Sequence, residues 1–167
     1  MISVRPAIVL DIPKIHEYWV NSNADYLRGI GADPNKIPSF EDFNSYLTEQ
    51  INLPLRDRKS NCLIIENFGK AIGHCNTNPS YFGEEAFIHI HLWDKSDRNK
   101  GYGISSLQLS LNWFFKNLEL KRIIAEPKAD NAAINSILKK SGFSFVKSYL
   151  TNPGSINFEQ DVNLWAS

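Results

Sequence analysis

Sulfur is scarce in this 167-residue chain, which carries two cysteines and one methionine. Two thiols are too few for the disulfide framework of a small secreted domain, so a reduced, cytoplasmic protein is expected. Net charge is missing too, because 18 Lys and Arg balance 18 Asp and Glu. A zero sum removes the long-range pull needed for non-specific binding to nucleic acid or anionic lipid. Neither nucleic acid nor membrane is expected as a partner. No apolar run approaches the roughly 18 residues of a membrane span. The opening Met1-Ile2-Ser3-Val4-Arg5-Pro6 lacks the apolar stretch of a secretory signal. Internal repeats and low-complexity tracts are absent. Core material is plentiful: 43% of residues are apolar, with ten Phe, six Tyr and four Trp. That excludes disorder, and a single domain over 1–167 is expected from the usual size of about 150 residues per domain.

Apolar spacing alternates between period 2 and period 3.6, which argues for α/β or α+β. Residues 2–10 read as a strand, and Asp11 as the N-cap of a helix carrying Ile12, Ile15 and Trp19 to about Asn23. A Gly/Pro-rich loop from Arg28 to Pro34 leads to Ser39-Phe40-Glu41-Asp42, a capping box. Phe40, Phe43, Leu47 and Ile51 then mark a second helix. Asn61–Glu66 and Ala71–Asn76 read as strands around Asn67-Phe68-Gly69-Lys70. A two-residue loop there sets Cys62 opposite Cys75, either as a redox pair or as two small buried thiols, whereas a three-residue loop with a bulge shifts that register. Glu85–Trp93 alternates, with Ala86, Ile88, Ile90 and Leu92 on one face and Glu85, Phe87, His89, His91 and Trp93 on the other. A third helix starts near Gly103, and Arg122–Glu126 is a short strand stopped by Pro127. Asp130 or Asn131 caps a fourth helix, and 143–150 and 156–164 close the chain as strands.

The most informative stretch runs from a strand into a loop and then a helix: His89-Ile90-His91-Leu92-Trp93, then Arg98-Asn99-Lys100-Gly101-Tyr102-Gly103. A helix N-terminus offers unpaired N–H groups and the positive end of the helix dipole. Glycines let an anion reach that backbone, and Arg98 and Lys100 add charge. The stretch lacks the Gly-Lys-Ser/Thr of a nucleotide P-loop and the third glycine of a dinucleotide fingerprint. One helix and one strand later comes Ala125-Glu126-Pro127-Lys128-Ala129-Asp130-Asn131-Ala132-Ala133-Ile134-Asn135-Ser136-Ile137-Leu138-Lys139-Lys140-Ser141-Gly142-Phe143.

Together, R-x-x-G-x-G and this second stretch resemble the GCN5-related N-acetyltransferase (GNAT) superfamily, and the element order fits over nearly the whole chain. The resemblance implies an α/β fold: a GNAT-like mixed, mostly antiparallel twisted sheet of about seven strands flanked by four helices. It implies acetyl-CoA as co-substrate, no metal, and transfer of the acetyl group to a primary amine of a small-molecule or peptide acceptor. Direct transfer in a ternary complex is the implied route, and a homodimer is left open. By position, Arg98, Asn99, Lys100, Gly101, Tyr102, Gly103 and Ile104 would cradle the pyrophosphate. Backbone groups of His91, Leu92 and Trp93 would run along the pantetheine, and Asn131 would reach the same arm. His89 falls where several members place an acidic residue or His near the acceptor amine.

The chemistry supports His89 independently. An alkylamine is mostly protonated at neutral pH, and a group titrating near neutrality can remove that proton. His89 is taken as the base, with His91 or Glu85 as relays. Tyr26, Arg28, Tyr81 and Asn135 are expected at the acceptor end, the last being either an acceptor contact or an internal hydrogen bond. Where many members carry a Tyr that protonates the leaving thiolate, this chain has Leu138, which leaves solvent, Ser136, Tyr149 or no group at all for that step. Two rival functions stand beside this one: a non-catalytic acyl-CoA-binding module, and a zinc site built from His74, His89 and His91.

Overall fold

The computed structural model describes residues 1–167. The chain runs β1 (Ile2–Pro6), α1 (Ile12–Asn21), α2 (Ala24–Gly29), α3 (Phe40–Asn52), β2 (Asn61–Asn67), β3 (Lys70–Tyr81), β4 (Glu85–Leu92), α4 (Tyr102–Leu118), β5 (Arg122–Ala125), α5 (Ala132–Lys140), β6 (Ser144–Thr151) and β7 (Gln160–Ala166). Seven strands form one sheet in the order β1-β2-β3-β4-β5-β7-β6. Every neighbouring pair is antiparallel except β4–β5, which is parallel. The expected α/β class and mostly antiparallel seven-stranded sheet are therefore present. No helix is long and apolar enough to cross a membrane.

The helices number five rather than the expected four. The additional one, α2, lies where a helix tail and loop were expected. Asn23 starts it by accepting the N–H of Asp25 at 2.8 Å, a local capping bond that ends α1 and begins a new turn. The first strand stops at Pro6 rather than residue 10. Asp11 does not cap α1. Its carboxylate pairs with Arg5 at 2.7 Å and accepts the N–H of Ile8 at 2.8 Å, which folds 9–11 into a short 3₁₀ turn. Ser39 does cap α3, accepting the N–H of Asp42 at 3.2 Å.

Phe68 and Gly69 form the expected two-residue turn, both at positive φ (49° and 77°). Register then slips at Ile65/Glu66, so Leu63 faces Cys75 and Cys62 faces Asn76. The extra residue is a bulge, which the turn alone does not specify. Both cysteines are free thiols. Burial pushes both up, Cys75 to about 12, so neither is a thiolate nucleophile near neutral pH.

Alternation along β4 divides the core. Ala86 and Ile88 join Leu63, Leu107, Phe114, Leu118 and Leu138 under α4 and α5. On the other sheet face Ile64 packs with Ile15, Tyr18, Trp19 and Leu27 from α1 and α2. His89 and His91 project on this second side, so α1 and α2 roof the histidines while α4 and α5 back the sheet.

Candidate functional site

The site is a fork in the sheet. β4 and β5 pair at only three positions, Glu85/Arg122, Ala86/Ile123 and Phe87/Ile124. Pro127 follows β5 closely and lacks the N–H to continue a ladder, while β4 runs on to Leu92. Beyond Phe87 one edge of β4 therefore has no strand partner. Trp93 donates its N–H to Ile72 O on the β3 side at 2.9 Å. Strand alternation then turns the backbone groups of Ile88, Ile90 and Leu92 toward the fork. Arg98 folds back over the end of this edge, with Nη2 donating to Leu92 O at 3.0 Å. Its guanidinium lies 4.3 Å from the centre of the Tyr26 ring. The loop guanidinium thus fixes the strand end and the loop together.

A cleft of about 750 Å³ fills the fork. Its walls are β4 from Ile88 to Leu92, the loop residues Arg98, Asn99 and Gly101, the first turn of α4 at Gly103 and Ile104, residues 125–128 after the split, and α5 from Asn131. Asn99 and Gly101 hold φ near +60° and +78°, which bends the loop into α4. Gly101 is the N-cap and has no side chain to bond the first turn, so helix-end N–H groups stay available to an anion. A methyl group at Gly101 would meet nothing within 4 Å. Gly103 does different work: a methyl there would stand 2.9 Å from Cδ1 of Ile137, so Gly103 lets α5 close on α4. Asn131, the residue before α5, makes no capping bond with its side chain and lines the cleft. Lys100 is exposed and is not part of the cleft wall, and Trp93 and Tyr102 direct their side chains elsewhere. The Trp93 indole donates to His74 Nδ1 at 2.8 Å, and the Tyr102 hydroxyl accepts from Asn67 at 3.4 Å.

Both expected strand histidines line the cleft. His89 Nε2 lies 3.1 Å from the Asn78 carbonyl oxygen. A carbonyl only accepts, so that nitrogen carries the proton and Nδ1 keeps its lone pair. Burial draws His89 below the ordinary histidine range. His91 is held in an aromatic cage. Its Nδ1 meets Tyr18 Oη at 3.1 Å, Tyr18 Oη meets Tyr26 Oη at 3.0 Å, and its ring stacks on His74 with centroids 4.9 Å apart. Burial also draws His91 down, well below its usual value, with neighbouring His74, His89 and Arg98 adding to the effect.

The other expected residues are scattered. Glu85 binds Arg122 at 2.5 Å and, with Tyr81, lines a separate cavity at the far end of the β4–β5 pair. It is therefore no relay for His89, four residues away on the strand. Arg28 pairs with Asp25 on the surface at 3.4 Å and stays out of the cleft, whereas Tyr26 is in it. Asn135 is an internal tie. Its Nδ2 donates to the carbonyls of Asn131 (2.8 Å) and Lys128 (3.1 Å), and its Oδ1 accepts from Trp165 (2.8 Å) and Asn163 (3.0 Å). All its bonds are used within the fold, so it is not an acceptor contact. Of the two side chains considered in place of the missing Tyr at 138, Ser136 reaches the cleft and the Tyr149 hydroxyl is committed to Glu126. Glu126 itself lines the cleft and was missed. Its signal was positional, since it lies as far past the last β4–β5 pair as His89 does, and that requires the register. No three His, Cys, Asp or Glu side chains are grouped to hold a metal ion, and the Trp93 indole occupies the Nδ1 of His74.

The acetyltransferase (GNAT) domain family matches residues 2–144. The uncharacterized N-acetyltransferase YnaD of Bacillus subtilis strain 168 is 27% identical over 138 residues, covering 79% of this chain and 72% of YnaD. Among solved structures, a ribosomal L7/L12 alpha-N-protein acetyltransferase in complex with coenzyme A superposes with a TM-score of 0.80 at 21% identity, over 99% of this chain and 93% of that one. A spermidine N-acetyltransferase from Vibrio cholerae, in complex with CoA and spermine, superposes at 0.79 with 19% identity, over 99% and 94%. The helix-end N–H groups, the open space at Gly101 and the free edge of β4 suit a diphosphate on a pantetheine arm. The chain belongs to the GNAT family and is an acetyl-CoA-dependent N-acetyltransferase.

Proposed function

We propose that residues 1–167 act as one acyltransferase domain that moves the acetyl group directly to the primary amine of a small-molecule acceptor within a ternary complex. The carrying observation is His89 at the mouth of the fork, with Nε2 tied to the Asn78 carbonyl at 3.1 Å. When bound, acetyl-CoA supplies the thioester whose acyl carbon the amine nitrogen attacks, releasing the CoA thiol. Arg98 to Ile104 and Asn131 hold the cofactor, together with the fork-facing backbone of Ile90 and Leu92; His91 and Trp93, expected on the same arm, turn their N–H groups to β3 instead, that of Trp93 to Ile72 O. The free N–H groups of β4 hydrogen-bond the acyl oxygen as charge builds on it. His89 Nδ1 takes one proton from the acceptor ammonium, leaving the lone pair that attacks. His91, linked through Tyr18 to Tyr26 at the cleft wall, orients the acceptor side and offers a path for that proton. The name of the spermidine N-acetyltransferase neighbour supports a small amine as acceptor class.

His89→Ala is expected to lower turnover about 10²–10⁴-fold with CoA affinity unchanged. Because burial draws His89 below its usual value, the acid limb of the wild-type profile should fall below the ordinary histidine range near 6.5. Near-wild-type turnover of the variant across pH would remove His89 as base. Tight CoA binding without thiol release for any amine would make the chain a binding module.

A further inference from the structure

Parallel strands at the same register place their side chains on the same face. The β4–β5 pairs are Glu85/Arg122 and Phe87/Ile124, two residues apart, and the first of these closes as an ion pair at 2.5 Å. The ladder ends there, and the residues one further step along each chain, His89 and Glu126, both line the cleft that opens between them. Glu126 forms no ion pair, whereas its neighbour Lys128 is held by Asp130. Its only side-chain partner is the Tyr149 hydroxyl, which donates to Oε2 and leaves Oε1 without a hydrogen-bond partner. A neutral hydroxyl supplies one hydrogen bond and cancels no charge. Burial and the carboxylate together push Tyr149 up to about 12, so it stays the donor of that bond.

We propose that Glu126 is the specificity-determining carboxylate of the acceptor end, collecting the acceptor as a small alkylammonium and setting its nitrogen beside His89. The proposal rests on the acetyl-transfer reading above and deepens it by naming the acceptor class. Oε1 accepts one ammonium hydrogen, Tyr149 keeps Oε2 from turning away, and His89 receives the proton that leaves. Lower-charge amines lose this contact.

The test uses the whole protein saturated with CoA, titrated near neutral pH with butylamine and with its neutral isostere 1-butanol, and followed by NMR of the His89 imidazole. Wild type should bind butylammonium at least about tenfold tighter than butanol, the scale of a charge-assisted hydrogen bond. Glu126→Gln should erase that preference and Glu126→Asp should keep part of it, with CoA affinity measured alongside. Equal binding of the two probes by wild type, or a preference that survives in Glu126→Gln, overturns the assignment to Glu126. Failure of wild type to bind CoA overturns the acetyl-transfer reading instead.

Discussion

Lowering the pH should weaken the fold through its buried imidazoles, and the share of His74 can be separated by substitution. His74 is 3% exposed. Its Nδ1 accepts the Trp93 indole N–H at 2.8 Å, and its ring lies against His91 and Tyr18. Burial, reinforced by His89, pushes it down to about 3, while an unfolded chain titrates it near 6.5. Below pH 6.5 the unfolded state takes up a proton that the folded state refuses. The stabilisation is thus whole above pH 6.5 and drains away as pH falls toward about 3. Between pH 7.5 and pH 5 this amounts to about 2 kcal/mol. Arg5 holds the carboxylate of Asp11 below its usual range, so that ion pair is untouched in this window. His74→Asn keeps an oxygen near the Nδ1 position to accept the Trp93 N–H and removes the titration. Urea melts followed by tryptophan fluorescence at the two pH values provide the assay. Wild type should lose about 2 kcal/mol more than His74→Asn on acidification, whatever their difference at pH 7.5. Equal losses in the two proteins would show that His74 takes its proton in the folded state and would refute the reasoning.

The two glycines at the start of α4 should separate. Gly101→Ala forces a side chain onto a φ of +78°, costing about 1–2 kcal/mol. It also puts a methyl before the helix-end N–H groups, so CoA affinity measured by calorimetry should fall. Gly103→Ala meets only the flexible end of Ile137 and gains helix propensity of about 1 kcal/mol; a larger loss of CoA affinity here than at 101 would contradict the roles assigned. Asn135→Ala leaves the Trp165 indole N–H without its partner and takes one of two hydrogen bonds from each of the Asn131 and Lys128 carbonyls, and should lower the unfolding free energy by about 1–3 kcal/mol. Asn135→Asp should also destabilise, because a carboxylate cannot donate to Asn131 and Lys128; wild-type stability of that variant would mean those two bonds carry nothing.

The fold was legible where one rule governs each residue. Strict alternation over Ala86–Leu92 placed the core face of β4 and, with it, the histidines opposite. The helix read from near Gly103 is α4, which begins at Tyr102, and Ser39 gave the start of α3. The misreadings lie where two local signals compete. Asp11 has the right identity for a cap, but Arg5, across the turn from β1, claims its carboxylate. Asn23 sits inside what periodicity treats as a helix tail and instead caps a new helix. The Phe68-Gly69 turn fixed its own geometry, but a bulge two residues on broke the count to the cysteines.

The site divides in the same way. The cofactor half is written in consecutive residues, because a loop entering a helix must spell its positive φ and its bare helix end locally, as Asn99 and Gly101 do. The acceptor half joins residues far apart in the chain. Glu85 faces the same way as His89 and yet stands at the far end of β4, where Arg122 holds it. Asn135 is polar on an apolar helix face, and its use was decided by Trp165 and Asn163 on a strand some thirty residues later. Glu126 reaches the cleft of His89 because β5 runs parallel to β4 and in register with it up to Phe87/Ile124, which no count along the sequence can supply. Parallel pairing is non-local by construction, since a crossover helix must intervene. The histidine proposed as base on β4 was therefore nameable from its own neighbours, while the carboxylate proposed beside it became visible only once the strand register was known.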